Sequence, residues 1–181
     1  MPTEDGYDTL DELPDDGAQE REIYARYGLA MYAAQVLEES ASSLIVVHEM
    51  THGNMRVVEE VGDRFDELWT KTLGALIRQV GTHQLVTADQ SAVLGDALKA
   101  RNRLAHHFFR EEADSFVTPG GKRRMLDQLD AARRLFQEAS ALAADIYLRY
   151  MSKYGVTRGT LDEMVKDMTE TARARDAAHG A

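Results

Sequence analysis

Apolar side chains in this chain recur at alternating intervals of three and four, a spacing that suits helices and leaves little room for a sheet. The first stripe, Tyr27, Ala30, Ala34, Leu37, Ala41, Leu44 and His48, predicts a helix over residues 21–51 that ends at Gly53 and Asn54. A second, Val58, Val61, Phe65, Leu68, Thr72, Leu76 and Val80, predicts a helix that stops at Gly81 and contains the only tryptophan, Trp69, as a core or interface anchor. A third helix starts near Ala88 or Asp89, carries Leu94, Leu98, Arg101, Ala105 and Phe108, and continues towards Phe116 until Thr118-Pro119-Gly120-Gly121 breaks it. The fourth spans about 122–154, with Met125, Leu129, Ala132, Phe136, Ala139, Leu142, Ile146 and Tyr150 on its stripe and Gly155 at its end. Thr160-Leu161-Asp162-Glu163 reads as a capping box opening a shorter fifth helix, with fraying expected from about Arg173. No internal repeat is present, and the only alternating stretch is His83–Thr87. The expected fold is all-α: an up-and-down bundle of four long helices plus a shorter C-terminal helix.

A length of 181 residues suits one domain with a substantial core. Residues 1–20 read as an acidic flexible tail, 21–155 as the bundle, and 156–181 as the C-terminal helix with a frayed end. Without cysteine the chain has no disulfide, no thiolate metal ligand and no cysteine nucleophile. The start of the chain is acidic where a secretory signal is basic then apolar, and no apolar run approaches the roughly 20 residues that span a bilayer, so a cytoplasmic protein is expected. The net charge of −10 is unevenly spread: residues 1–20 hold eight acids and no base, which leaves −2 for the rest. Residues 99–134 hold nine bases against five acids, a local excess of +4 around the third helix. Such a run is more often a solvated helix face than a nucleic-acid footprint, so alone it decides little.

Two motifs compete for the chemistry. His48-Glu49-Met50-Thr51-His52 matches H-E-x-x-H, in which two histidines one turn apart bind zinc and the glutamate activates water. Its context is poor for a zinc-dependent peptidase: the motif ends a helix, no predicted sheet walls a cleft, and no third ligand follows at a suitable spacing. Glu59 and Asp63 lie too close in sequence for a second helix to return. The plain alternative places His48 on the core stripe and His52 in a C-terminal turn, where a cation is mildly favoured.

The second motif lies in Lys99-Ala100-Arg101-Asn102-Arg103-Leu104-Ala105-His106-His107-Phe108-Phe109-Arg110. On a helix Asn102 and His106 face the same way, and Arg101 sits beside them among long apolar residues. Arginine is seldom buried without a partner, so this position implies a counter-charge on a neighbouring helix, an oligomer interface or a ligand.

R-N-x-x-x-H in the middle of a long helix of a small bundle resembles the HEPN superfamily. The similarity extends over most of residues 21–150, including Tyr27–Glu38, the motif helix through Phe116, and Gly121 to Phe136. The resemblance implies a helical bundle that dimerises and, in many members, a metal-independent endoribonuclease of toxin or antiviral systems. It implies catalytic roles for Arg101, Asn102 and His106, with Lys99, Arg103, His107 and Arg110 holding RNA; His107 lies outside the motif, and which histidine acts is left open. No cofactor is implied, because RNA supplies its own nucleophile in the 2′-hydroxyl. His106 can move a proton near neutral pH and Arg101 can grip the phosphate as charge builds. A homodimer through the Leu94, Leu98, Ala105 and Phe108 region would bring two histidines together as base and acid. Implied partners are therefore a second copy, RNA and a neutralising antitoxin or other protein, with no membrane. HEPN-like domains also serve as non-catalytic binding or assembly modules, which is the competing expectation.

Overall fold

The computed structural model describes residues 16–53 and 58–179, and among these the chain is all-α, with helices joined by short turns and no strand. The helices are α1 (Asp16–Thr51), α2 (Val58–Trp69), α3 (Leu73–Thr82), α4 (Ala88–His106), α5 (Phe108–Glu111), α6 (Pro119–Met151) and α7 (Arg158–His179). Helix α1 begins five residues before the expected position, because Ala18 reaches the core with Ile23. Residues 1–15 of the expected acidic tail, and Asn54 of the expected break, lie outside the described residues. Gly53 closes α1 in the left-handed region with φ +76°, a conformation glycine adopts without steric cost.

The expected second helix is two. After Trp69 the chain turns back through Thr70, Lys71 and Thr72, and Thr72 is an N-cap in extended geometry whose hydroxyl accepts the Ala75 N–H at 3.4 Å. Hydroxyl side chains compete with the helical backbone in this way, and the turn lets Leu68 and Leu73 both enter the core. Gly81 does not stop the following helix; α3 runs on to Thr82, and Gln84 takes the left-handed position with φ 55°. His83–Thr87 is a turn leading into the capping box of Thr87 and Gln90 at the start of α4.

The expected third helix is interrupted as well. At His107 the backbone leaves helical geometry (φ −132°, ψ −29°), and α5 and a 3-10 turn, Ser115–Val117, follow. Successive side chains on one helix diverge by about 100°. The break lets Phe108 enter the core fully while Phe109 packs against Tyr24, Tyr27 and Phe116. Thr118 then caps α6, accepting the Gly121 N–H at 3.1 Å, with Pro119 in the first turn. A β-carbon on Gly121 would sit 2.0 Å from the Ser115 carbonyl oxygen, so only glycine allows the 3-10 turn to lie against α6.

Splitting one helix into a hairpin has a consequence for the whole bundle. Four alternating helices would leave the first and last long ones antiparallel; the extra reversal makes α1 and α6 parallel. Their contacts keep nearly constant separation: Arg26 pairs with Asp130, and His48 meets Tyr150. These two helices form the principal interface, with Leu37, Leu44, Ile45, Met125, Leu129 and Phe136 fully buried. Across it, Arg26 binds Glu22 at 2.7 Å and Asp130 at 3.1 Å. Burial works against that guanidinium's charge, but its bonds to the two carboxylates outweigh the burial and raise its pKa. Helices α3 and α4 pack on α1, and α4 also packs on α6. The C-terminal helix opens at a Thr157–Thr160 box rather than at Thr160 and continues to His179, past the expected fraying point.

Candidate functional site

The R-N-x-x-x-H residues occupy the C-terminal half of α4. Arg101 projects towards α1, where Nη2 donates to Glu38 Oε1 at 3.2 Å, and Nη1 donates to Asn102 Oδ1 at 3.5 Å. Both side chains of the ion pair keep about a quarter of their surface open, 24% for Arg101 and 28% for Glu38. The spacing did not point to Glu38, which lies 63 positions away. Asn102 and His106 are exposed on the same side, and among the described residues the His106 ring makes no hydrogen bond. Its ring centroid is 6.2 Å from that of His107. Arg110 Nη2 donates to His107 Nδ1 at 2.9 Å, which leaves the His107 proton on Nε2. The arrangement is an open imidazole-rich surface with a guanidinium at its edge.

The flanking bases differ in what they can offer. Lys99 is exposed and pairs loosely with Asp96. Arg103 is committed elsewhere, donating to Glu111 at 2.8 Å and Glu112 at 3.1 Å with its guanidinium 5.4 Å from the Phe108 ring centroid. Glu112 also accepts from Gln128 at 2.9 Å. Hydrogen bonds from Gln128 and Ser115, then the Arg103 charge, hold its carboxyl below the ordinary range despite burial. Arg103 therefore fastens the end of α4 to the α5 corner instead of presenting itself to a phosphate. The local excess of positive charge is reduced, because Glu38 and Asp96, from outside residues 99–134, are drawn into the same surface. The expected dimer contact is also altered: Leu94 and Phe108 are fully inside this chain's own core, so they cannot face a second copy.

The H-E-x-x-H residues lie at the other end of the molecule, where α1, α3 and α6 all terminate. His48 and His52 have ring centroids 4.1 Å apart with their planes tilted by 41°, and His83 from the end of α3 lies 4.9 Å from His48. This third histidine went unnoticed in the sequence, 31 positions beyond His52 and just past a helix end. His52 Nδ1–H donates to the His48 carbonyl at 2.8 Å, and His48 Nδ1 lies 3.4 Å from the Tyr150 hydroxyl. Burial lowers the His48 pKa, the neighbouring imidazoles of His52 and His83 lower it further, and Glu49 opposes both. Glu49 is held by Arg64, which donates Nε and Nη2 at 2.8 and 2.7 Å. A carboxylate so engaged is poorly placed to take a proton from water. Among the described residues, no three His, Asp or Glu side chains converge as a metal-ligand set. The Glu59 side chain lies outside the described residues.

No helix among the described residues is long and apolar enough to cross a membrane. No protein-family model, curated protein or solved structure matches the chain.

Proposed function

We propose that the chain is a metal-independent endoribonuclease of the HEPN type, with Arg101, Asn102 and His106 as its catalytic groups. The observation that carries this reading is the exposure of Asn102 and His106 beside the Arg101 guanidinium: neither is used in the core, and together they offer proton transfer and anion binding on one open surface. An imidazole removes the 2′-hydroxyl proton, the 2′-oxygen attacks phosphorus, and the bond to the 5′-oxygen breaks as that oxygen gains a proton. The products are a 2′,3′-cyclic phosphate and a 5′-hydroxyl. Arg101 neutralises the charge gathering on the non-bridging oxygens, exchanging Glu38 for phosphate as it does so. One chain supplies one such histidine within the motif, and cleavage benefits from a second proton-transfer group. His107, held through Nδ1 by Arg110, is the second candidate within the chain.

A specific observation favours the alternative, a non-catalytic HEPN-like binding or assembly module. Arg101 already has a counter-charge in Glu38, so its presence on the stripe is accounted for without a ligand. The test is cleavage of single-stranded RNA by the purified chain in excess chelator, with the ends identified by mass. Cyclic phosphate ends and a loss of at least about 100-fold in Arg101→Ala and His106→Ala variants are expected. Equal activity in the wild type and the double variant eliminates the nuclease reading.

A further inference from the structure

The chain contains an uncovered groove and an uncovered helix face of matching character. The groove lies between the parallel helices α1 and α6, where Leu29, Tyr32 and Val36 face Gln137 and Ser140 across a cavity of about 380 Å³. It continues past Ser43 and Tyr147 as a second hollow of about 230 Å³. Leu29 and Tyr32 are 46% and 66% exposed, a large apolar outlay on a surface two turns long. The helix face is on α7: Leu161, Met164, Val165 and Met168 follow three-and-four spacing, and the last three are 56%, 62% and 70% exposed. Helix α7 makes few contacts with the rest of the described chain.

The segment joining α6 to α7 keeps the two features of one molecule apart. Beyond α6 a 3-10 turn, Ser152–Tyr154, leads to Gly155 with φ +79°; the Val156 N–H reaches the Met151 carbonyl at 3.2 Å and the Gly155 N–H reaches Ser152 at 3.1 Å. This is the paired closure that seals a helix end. Thr157 and Thr160 then exchange reciprocal bonds, 3.4 and 3.3 Å, and Arg158 binds Asp145 at 2.8 Å. The turn is thus fastened at both ends, and α7 leaves its own groove uncovered, with Met164, Val165 and Met168 exposed.

We propose that the α1–α6 groove of one copy receives α7 of a second copy, in a reciprocal exchange that buries Leu161, Met164, Val165 and Met168 at both contacts. The dimensions allow it: at 1.5 Å per residue, Leu29 to Ser43 spans about 21 Å, long enough for the roughly 11 Å from Leu161 to Met168. Charge agrees in part. Asp162 and Asp167 border the apolar face of α7, and the α6 wall of the larger hollow contributes Arg133, while Glu39 lines the smaller one. Methionines suit a helix that must fit a groove with a polar wall, since their unbranched chains adapt to irregular surfaces. A two-fold exchange makes the groove-and-helix contact twice, without involving the α4 surface. The proposal does not depend on the nuclease reading.

Sedimentation velocity of the full chain tests it. The wild type is expected to be dimeric at about 10 μM, whereas Met164→Glu/Met168→Glu on the helix and Leu29→Glu/Tyr32→Glu in the groove are each expected to be monomeric, with circular dichroism unchanged because the altered residues are exposed. Mixing the two variants is expected to restore dimers, because the intact helix of one fits the intact groove of the other. A wild type that stays monomeric to 100 μM, including one that instead binds its own α7 or another protein, overturns the proposal. So does a dimer that survives either double substitution, or a mixture that remains monomeric.

Discussion

The histidine end of the bundle and the open surface of α4 contain similar side chains in opposite circumstances. At the first, His48, His52, His83 and Tyr150 crowd together where three helices terminate, and Glu49 is locked by Arg64. At the second, Asn102 and His106 face outward, and Arg101 bonds to Glu38 and to Asn102. A short motif states which groups are present. Whether they are at liberty to do chemistry depends on neighbours supplied by other helices, and those neighbours use up one set and leave the other accessible.

That contrast can be broken in several ways. The largest effect is expected from Gly121→Ala, whose β-carbon would strike the Ser115 backbone and displace the corner that anchors Arg103 and the end of α4. A loss of about 3 kcal/mol or more is expected, readable as a fall of roughly 10 °C in Tm. If Tm holds, the corner does not support the α4 surface. Next comes Glu49→Ala, which leaves Arg64 without its bidentate partner in a half-buried setting and should cost about 2 kcal/mol. RNA cleavage should be untouched; a loss as deep as that from His106→Ala would reverse the roles assigned to the two ends.

Acidification acts on the histidine end through His48. The folded pKa of His48 lies below its ordinary 6.5, so the unfolded chain binds more protons between those two values. The contribution of this group to stability is whole above 6.5 and falls as pH drops towards the folded value. Denaturant melts at pH 7.5 and 5.5 should show the loss, and His48→Gln should reduce it; an unchanged pH dependence in that variant assigns it to other groups. The smallest effect is expected from Glu38→Gln. Stability should change by less than about 1 kcal/mol for this partly exposed pair. RNA affinity should rise by up to about fivefold as Arg101 is released, measured by filter binding with the His106→Ala variant, and a fall in affinity would mean that Glu38 positions Arg101 for its ligand.

Much of the fold was legible because three-and-four spacing survives wherever a helix buries one face. Residues 21–51 and 122–154 were placed within a few positions. The spacing could not reveal the turn at Thr70–Thr72, since Thr72 kept the period while serving as a cap, nor the kink at His107, which satisfies two adjacent phenylalanines at once. The candidate site was legible as a set of residue types on one helix face. Its partners were not: Glu38 meets Arg101, and His83 meets His48, through relative helix placement, and a stripe on one helix says nothing about which turn of another lies opposite.

The parallel pairing of α1 and α6 also bears on how the chain is made. Arg26 and Asp130 are 104 positions apart, and His48 and Tyr150 at the other end of the interface are 102. At roughly 5–20 residues per second, α1 leaves the ribosome on the order of 5–20 s before its counterpart. Throughout that interval Leu37, Leu44 and Ile45 have no α6 to cover them. This protein's exposure to proteases and to aggregation during synthesis is therefore set by the time needed to translate the segments between.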